Sequence, residues 1–170
     1  AELASHHDLQ SMLDLGTGSG AIALAVLHDL PHLSVTASDV SELALRVARE
    51  NAENLGLPVE FVESSWFDAL AKRRWALIVS NPPYVAADDG HLLEGDLRFE
   101  PNTALTDEGD GLSSIREIAS NAPDHLEAGG WLLIEHGYDQ AADVRSILEL
   151  NGFSKVSLRH DLAGRPRVTG

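Results

Sequence analysis

Short apolar runs alternate with longer amphipathic stretches along this chain. The runs predict strands at Ser11–Leu15, Leu33–Ser38, Val59–Glu63, Trp75–Ser80, Trp131–Glu135 and Lys155–Leu158. The amphipathic stretches predict helices at Ser19–Asp29, Ser41–Leu55, Leu112–Leu126 and Asp139–Leu150. Val144, Ile147 and Leu148 follow the i, i+3, i+4 spacing of one helix face, and so do Ile115, Ile118 and Ala119. Stop signals sit where helices should end: Gly56 after the second, Gly129 and Gly130 after the third, Asn151 and Gly152 after the fourth. Ser41 has the chemistry of an N-cap. Ala76 to Val79 is apolar throughout, as a strand covered on both faces should be. Strands alternating with helices in this way predict an α/β fold, a doubly wound and mostly parallel sheet.

Composition narrows the class. The chain has 170 residues, the size of one domain, read here as a single unit spanning 1–170. Twenty-seven acids against 12 bases give a net charge of −15, which argues against nucleic acid as a partner, because phosphate binding needs a basic face. The chain has no cysteine, which excludes disulfides, thiolate metal sites and a thiol nucleophile. No apolar run approaches membrane-spanning length. Ala1 to Gln10 has neither a basic region nor an apolar core of the secretory type. A cytoplasmic monomer with no membrane partner is expected. One long connection, Val85 to Gly111, carries eight acids against the single base Arg98. Connections of that length inside a domain are usually functional or disordered.

The first candidate site is the loop after the first strand, Asp14 to Gly20, with the spacing Gly16-x-Gly18-x-Gly20. Glycines let a backbone turn sharply and approach a ligand, and the helix that follows offers unpaired N–H groups. Asp39 lies 19 residues after Gly20, at the end of the second predicted strand. An acid there can accept hydrogen bonds from both hydroxyls of a ribose, as nicotinamide dinucleotides and S-adenosylmethionine would require. It could also stabilise the start of the helix at Ser41.

The second candidate is Asn81-Pro82-Pro83-Tyr84 at the exit of the fourth strand. Asn81 and Pro82 each precede a proline and are pushed to extended conformations. The prolines lack N–H groups, so the turn is rich in acceptors. The Asn81 side-chain oxygen and the Pro82 carbonyl can converge on a planar NH2 group. An amide or aromatic amine is a poor nucleophile because its lone pair is delocalised. Two acceptors favour a pyramidal nitrogen, aim its lone pair at an electrophilic methyl and stabilise the developing positive charge. The ring of Tyr84 can stack on the flat group and add cation–π stabilisation. The proton can leave after transfer, so no strong base is required.

These residues resemble class I S-adenosylmethionine-dependent methyltransferases, and more narrowly the release-factor glutamine N5-methyltransferase family. The resemblance covers nearly the whole chain. It rests on Asp14 to Gly20, the Trp66 and Phe67 pair, Ile78 to Tyr84, Arg98 to Pro101, Ala104 and Leu105, Asp110 and Gly111, and Glu135 to Gly137. The Asn-Pro-Pro-Tyr turn is shared with adenine and guanine amino-methyltransferases; the stretches at Arg98 and Glu135 are more particular to the glutamine family. The resemblance implies a Rossmann-like, seven-stranded sheet whose last strand, in Arg165 to Gly170, is cut short.

It further implies that S-adenosylmethionine is the cofactor and S-adenosylhomocysteine its product. Asp14, Gly16, Thr17, Gly18, Ser19, Gly20, Asp39, Trp66 and Asn81 would bind it, Asp39 at the ribose and Trp66 near the adenine. Asn81, Pro82, Pro83 and Tyr84 would hold the substrate amide, with Asn81, Pro82 and Tyr84 acting in catalysis. The implied partner is a peptide-chain release factor, methylated on the glutamine of its Gly-Gly-Gln motif. The family carries an acid where this chain has Ser65, which leaves the adenine contact open. It also carries a helical N-terminal domain for substrate recognition that is absent here. Two alternatives stand: an amino-methyltransferase of nucleic acid, and a cofactor-binding domain without activity of its own. His28 and His32 are four apart but Pro31 lies between them, and His6 and His7 lie near the terminus, so no metal site is expected.

Overall fold

In the structure, a computed structural model, residues 9–85 and 109–170 are described. The elements in chain order are β1 (Ser11–Leu15), α1 (Ala21–Asp29), β2 (Ser34–Asp39), α2 (Glu42–Leu55), β3 (Val59–Glu63) and β4 (Trp75–Ser80). After the connection come α3 (Ser113–His125), β5 (Leu126–Glu135), α4 (Ala141–Leu150), β6 (Leu158–His160) and β7 (Pro166–Thr169). The strands form one seven-stranded sheet in the order β3-β2-β1-β4-β5-β7-β6. Most of the acidic stretch, together with Arg98 to Pro101, Ala104, Leu105, His6 and His7, lies outside the described residues.

The chain divides into two units. The first takes in the described residues up to Ser80 and Asp124–Leu133; the second takes in those of Asn81–Pro123 and Ile134–Gly170. In the first unit β1 pairs in parallel with β2 and with β4, and β2 with β3. All six residues of β4 are buried. Met12, Ala23, Leu27, Val35, Ala37 and Leu77 are core residues drawn from β1, α1, β2 and β4. The larger of these, Met12, Leu27, Val35 and Leu77, each contribute about 1.5–3 kcal/mol by leaving water. The helix α2 opens as its sequence predicts: the Ser41 hydroxyl accepts the Ala44 N–H at 3.2 Å, and Gly56 closes it.

In the second unit β7 pairs antiparallel with both β5 and β6, Ile134 facing Thr169 and Leu158 facing Thr169. His136 is fully buried here. Its Nδ1 lies 2.7 Å from the Gly137 carbonyl and its Nε2 2.8 Å from the Thr169 hydroxyl. A carbonyl only accepts, so Nδ1 carries a proton.

Several boundaries differ from the sequence reading. The first helix begins at Ala21, because Gly20 is its left-handed N-cap, and Ser19 stays in the loop. Gly129 and Gly130 do not end a helix; α3 stops at His125, just past Pro123, and both glycines lie inside β5, which begins at Leu126 and not at Trp131. The sixth strand starts at Leu158 and not at Lys155, whose φ of 61° is incompatible with a strand. Within the segment read as a strand cut short, Pro166–Thr169 forms β7, paired on both sides. Among the described residues no helix is long and apolar enough to cross a membrane.

Candidate functional site

The first unit gathers Asp14, Thr17, Gly18 and Asp39 at the ends of β1 and β2. Asp14 is 1% exposed. Its Oδ2 accepts the Thr17 hydroxyl at 2.6 Å and the Ala23 N–H at 3.2 Å, so it ties the loop to the first turn of α1. Its Oδ1 is buried with no partner. Burial pushes the Asp14 carboxyl up to about 6, against the two hydrogen bonds that pull it down, and the charge of nearby Asp39 adds to the rise. Thr17 also donates its N–H to the Ser38 carbonyl at 2.9 Å. With its hydroxyl and N–H engaged, Thr17 shapes the loop.

Asp39 fills one of the two roles open to it in the sequence, bracing the start of α2. Its Oδ2 accepts the Gly18 N–H at 2.9 Å, and its Oδ1 accepts the Ser41 N–H at 2.8 Å. A carboxylate offers about four lone-pair positions, so two stay available to hydroxyl donors. Gly20 has φ 83°, and a Cβ there would stand 3.2 Å from both the Ala48 Cβ and a Leu24 methyl. Only glycine combines that backbone with that approach of α2. Gly18 faces open space, whereas a Cβ on Gly16 would meet the Trp66 ring at 3.6 Å. Ser19 has an exposed side chain, and its carbonyl accepts the Asn51 amide at 3.0 Å.

Trp66 sits in the turn after β3 with φ 41°. The Ser64 hydroxyl braces that turn, donating to the Trp66 carbonyl at 2.9 Å and accepting the Ala69 N–H at 3.0 Å. Beside it is a cavity of about 270 Å³ lined by Val40, Glu63, Ser64, Ser65, Asp68 and Ala69. The sequence reading did not single out Val40 or Asp68; a residue next to the candidate acid Asp39 and an acid two residues past Trp66 were the available signals. A larger hollow of about 460 Å³, between α2 and β3, contains none of the candidate residues.

The second unit holds the Asn81–Tyr84 turn. Asn81 is exposed, Pro82 buried, and Pro83 and Tyr84 half-buried. Glu135 at the end of β5 and Arg167 on β7 flank the Tyr84 phenol. Burial raises the phenol above its ordinary range, the Glu135 charge raises it further, and Arg167 pulls it back. Burial likewise raises Glu135, opposed by Arg167 and His136. The Tyr84 carbonyl accepts the Gln140 side-chain amide at 3.0 Å. The sequence reading missed Arg167 and Gln140, and took Glu135 only as part of a motif. Gln140 stood inside a predicted helix, where nothing marks it as reaching 56 residues back. Among the described residues there is no cluster of three or more potential metal ligands.

The family model for the methyltransferase small domain matches residues 2–110. The chain is 57% identical over 158 residues to the release factor glutamine methyltransferase of Neisseria gonorrhoeae, covering 92% of this chain and 58% of that protein. It is 51% identical over 165 residues to the release factor glutamine methyltransferase of Xylella fastidiosa strain Temecula1, covering 96% of this chain and 60% of that one. The chain thus spans about three fifths of the length of these curated relatives. Among solved structures, the ribosomal protein L11 methylase of Lactobacillus delbrueckii subsp. bulgaricus superposes with a TM-score of 0.68 at 24% identity, over 95% of this chain and 68% of that one, a likeness of fold.

Proposed function

The chain belongs to the methyltransferase small-domain family, and from that membership we propose that it moves the methyl group of S-adenosylmethionine onto the side-chain amide nitrogen of the Gly-Gly-Gln glutamine in a peptide-chain release factor. The identity to relatives bearing that function in their names supports the substrate. The observation that carries the chemistry is the turn itself: an exposed Asn81 and a buried Pro82 directly follow Ser80, whose strand pairs with β1 at Leu15.

The residues present fit the cofactor. Asp14 has a buried oxygen without a partner, suited to a cationic group. Asp39 retains acceptor capacity for ribose hydroxyls, and Gly18 leaves open space beside it. Trp66 and the cavity lined by Val40 and Asp68 suit the adenine. When bound, S-adenosylmethionine supplies an electrophilic methyl on a sulfonium sulfur. Asn81 Oδ1 and the Pro82 carbonyl accept the two amide N–H bonds and orient the nitrogen lone pair outward. The Tyr84 ring covers the flat amide. As the nitrogen gains its new bond, the two acceptors stabilise its positive charge, and the surplus proton leaves to water. Positioning and fixed dipoles account for the acceleration, because the proton can leave after transfer.

We further propose that the protein acts in the cytoplasm, as a monomer. The test is mass spectrometry of a release factor after incubation with the chain and cofactor. One added methyl on the Gly-Gly-Gln glutamine supports the reading; label entering RNA or DNA instead overturns it.

A further inference from the structure

We infer that Gln140 is a positioning residue for the Asn81–Tyr84 turn: its side-chain amide fastens the Tyr84 carbonyl to the exit of β5 and holds the turn in one backbone conformation. The inference rests on the proposed role of that turn in holding an amide.

One amide group here serves three backbone segments. Gln140 Nε2 donates to the Tyr84 carbonyl at 3.0 Å and to the Gly111 carbonyl at 3.3 Å, while Oε1 accepts the Gly137 N–H at 2.8 Å. Both donor hydrogens and an acceptor position are therefore engaged. The residue carrying this amide is itself fixed. Its backbone N–H donates to the Gly137 carbonyl at 3.0 Å, and its carbonyl accepts the Val144 N–H at 2.9 Å as α4 begins. Gln140 stands at the N-cap of α4 yet makes no side-chain cap bond. Serine, threonine, aspartate and asparagine are the residues that cap well. The choice of glutamine is explained by length, because the amide has to reach Tyr84.

Gly111 points the same way. It has φ 76°, and a Cβ there would overlap the Tyr84 carbonyl oxygen and stand 2.8 Å from Gln140 Nε2. Two residues distant in sequence are thus both accounted for by one requirement, access of the Gln140 amide to the Tyr84 carbonyl. The consequence for the turn is mechanical. Pro82 and Pro83 fix their own φ angles but carry no N–H with which the fold could anchor them. The hold at Tyr84 supplies an anchor immediately beyond them. It also takes one of the two acceptor positions of the Tyr84 carbonyl. Displacement of a catalytic group by about 1 Å can cost on the order of 10²-fold in rate.

The test uses Gln140→Met, which keeps the length and loses every polar contact, and Gln140→Glu, which keeps the acceptor and loses the donors. On release factor, Gln140→Met should lower kcat at least about tenfold, with cofactor Kd within about twofold of the parent. Gln140→Glu should be as poor at pH 8 and recover relative to the parent toward pH 5, where a carboxyl of ordinary pKa about 4.3 begins to protonate and can again donate to the Tyr84 carbonyl. A merely structural role does not give that recovery. The chain has only two tyrosines, Tyr84 and Tyr138, so 3-fluorotyrosine labelling gives a second readout that needs no activity. In the fluorine spectrum the Tyr84 signal should move or broaden in Gln140→Met by more than the Tyr138 signal. An unmoved Tyr84 signal, an unchanged kcat in Gln140→Met, or a flat pH ratio for Gln140→Glu overturns the inference. If the parent chain itself fails to methylate release factor, the proposed function fails, and the fluorine spectra still decide the role of Gln140.

Discussion

Replacing Asp14 with asparagine separates two consequences of one buried carboxylate. Burial lifts its folded pKa from an ordinary 3.8 to about 6. The folded chain therefore holds an extra proton between those two values. Stability falls as pH rises through that window, and the full cost stands above it. At about 1.4 kcal/mol per pH unit of difference, the ionised carboxylate costs the folded state about 3 kcal/mol at neutral pH. Lowering the pH from 7.5 to 5 should return about 1.4 kcal/mol of that, or roughly 3–6 °C in Tm for a chain of this size. Cofactor affinity should run the other way. If the unpartnered Asp14 oxygen receives a cationic group, the site needs the carboxylate, of which about a tenth remains ionised at pH 5, so Kd should rise about tenfold over the same range. Asp14→Asn keeps an acceptor for Thr17 and Ala23 and has no charge to titrate. Both trends, taken as the parent minus the variant, should follow the pH by thermal denaturation and by calorimetry with S-adenosylhomocysteine. A pH-independent difference in Tm would sink the buried-carboxylate argument. Identical Kd profiles for parent and variant would remove Asp14 from the cofactor site.

Asn81→Ala should lower kcat about 10²–10³-fold while cofactor binding stays measurable by calorimetry; near-normal turnover would mean that the amide is held elsewhere. Asp39→Asn should weaken S-adenosylhomocysteine binding strongly, and an analogue lacking both ribose hydroxyls only slightly; equal losses would point to the Gly18 and Ser41 contacts as the whole role. Gly20→Ala forces a side chain into a left-handed cap at a cost of about 1–2 kcal/mol, and the 3.2 Å approach to Ala48 adds to it. Its Tm should fall by at least about 2–4 °C in a calorimetric scan, and an unchanged Tm would contradict the packing described at the glycine loop.

Elements whose signals are local were legible. Ser41 and Gly56 bracket α2 because caps act within a turn of their own residues. The apolar run at β4 announces a strand covered on both faces. The glycine loop and Asp39 were legible as a pair because spacing places both at neighbouring strand ends, and the Gly18 to Asp39 bond joins them. What was misread depends on partners distant in sequence. Gly129 and Gly130 look like a helix stop, yet they lie within β5, and Gly130 leaves room for the Ala76 carbonyl at 3.1 Å from where a Cβ would be. Lys155 to Leu158 alternates like a strand, but β6 itself begins at Leu158, with Ser157 before it bonding back to the chain end, at Gly170. Gln140 carries no local signal at all, since its three contacts are to backbone atoms, which any sequence supplies.

The most direct measurement is tandem mass spectrometry of the Gly-Gly-Gln peptide from a release factor incubated with this chain and methyl-labelled S-adenosylmethionine. A single labelled methyl should appear on the glutamine side-chain nitrogen, and be lost with Asn81→Ala. An unmodified glutamine in the presence of a chain that binds the cofactor, or label on any other residue, would contradict the proposed function.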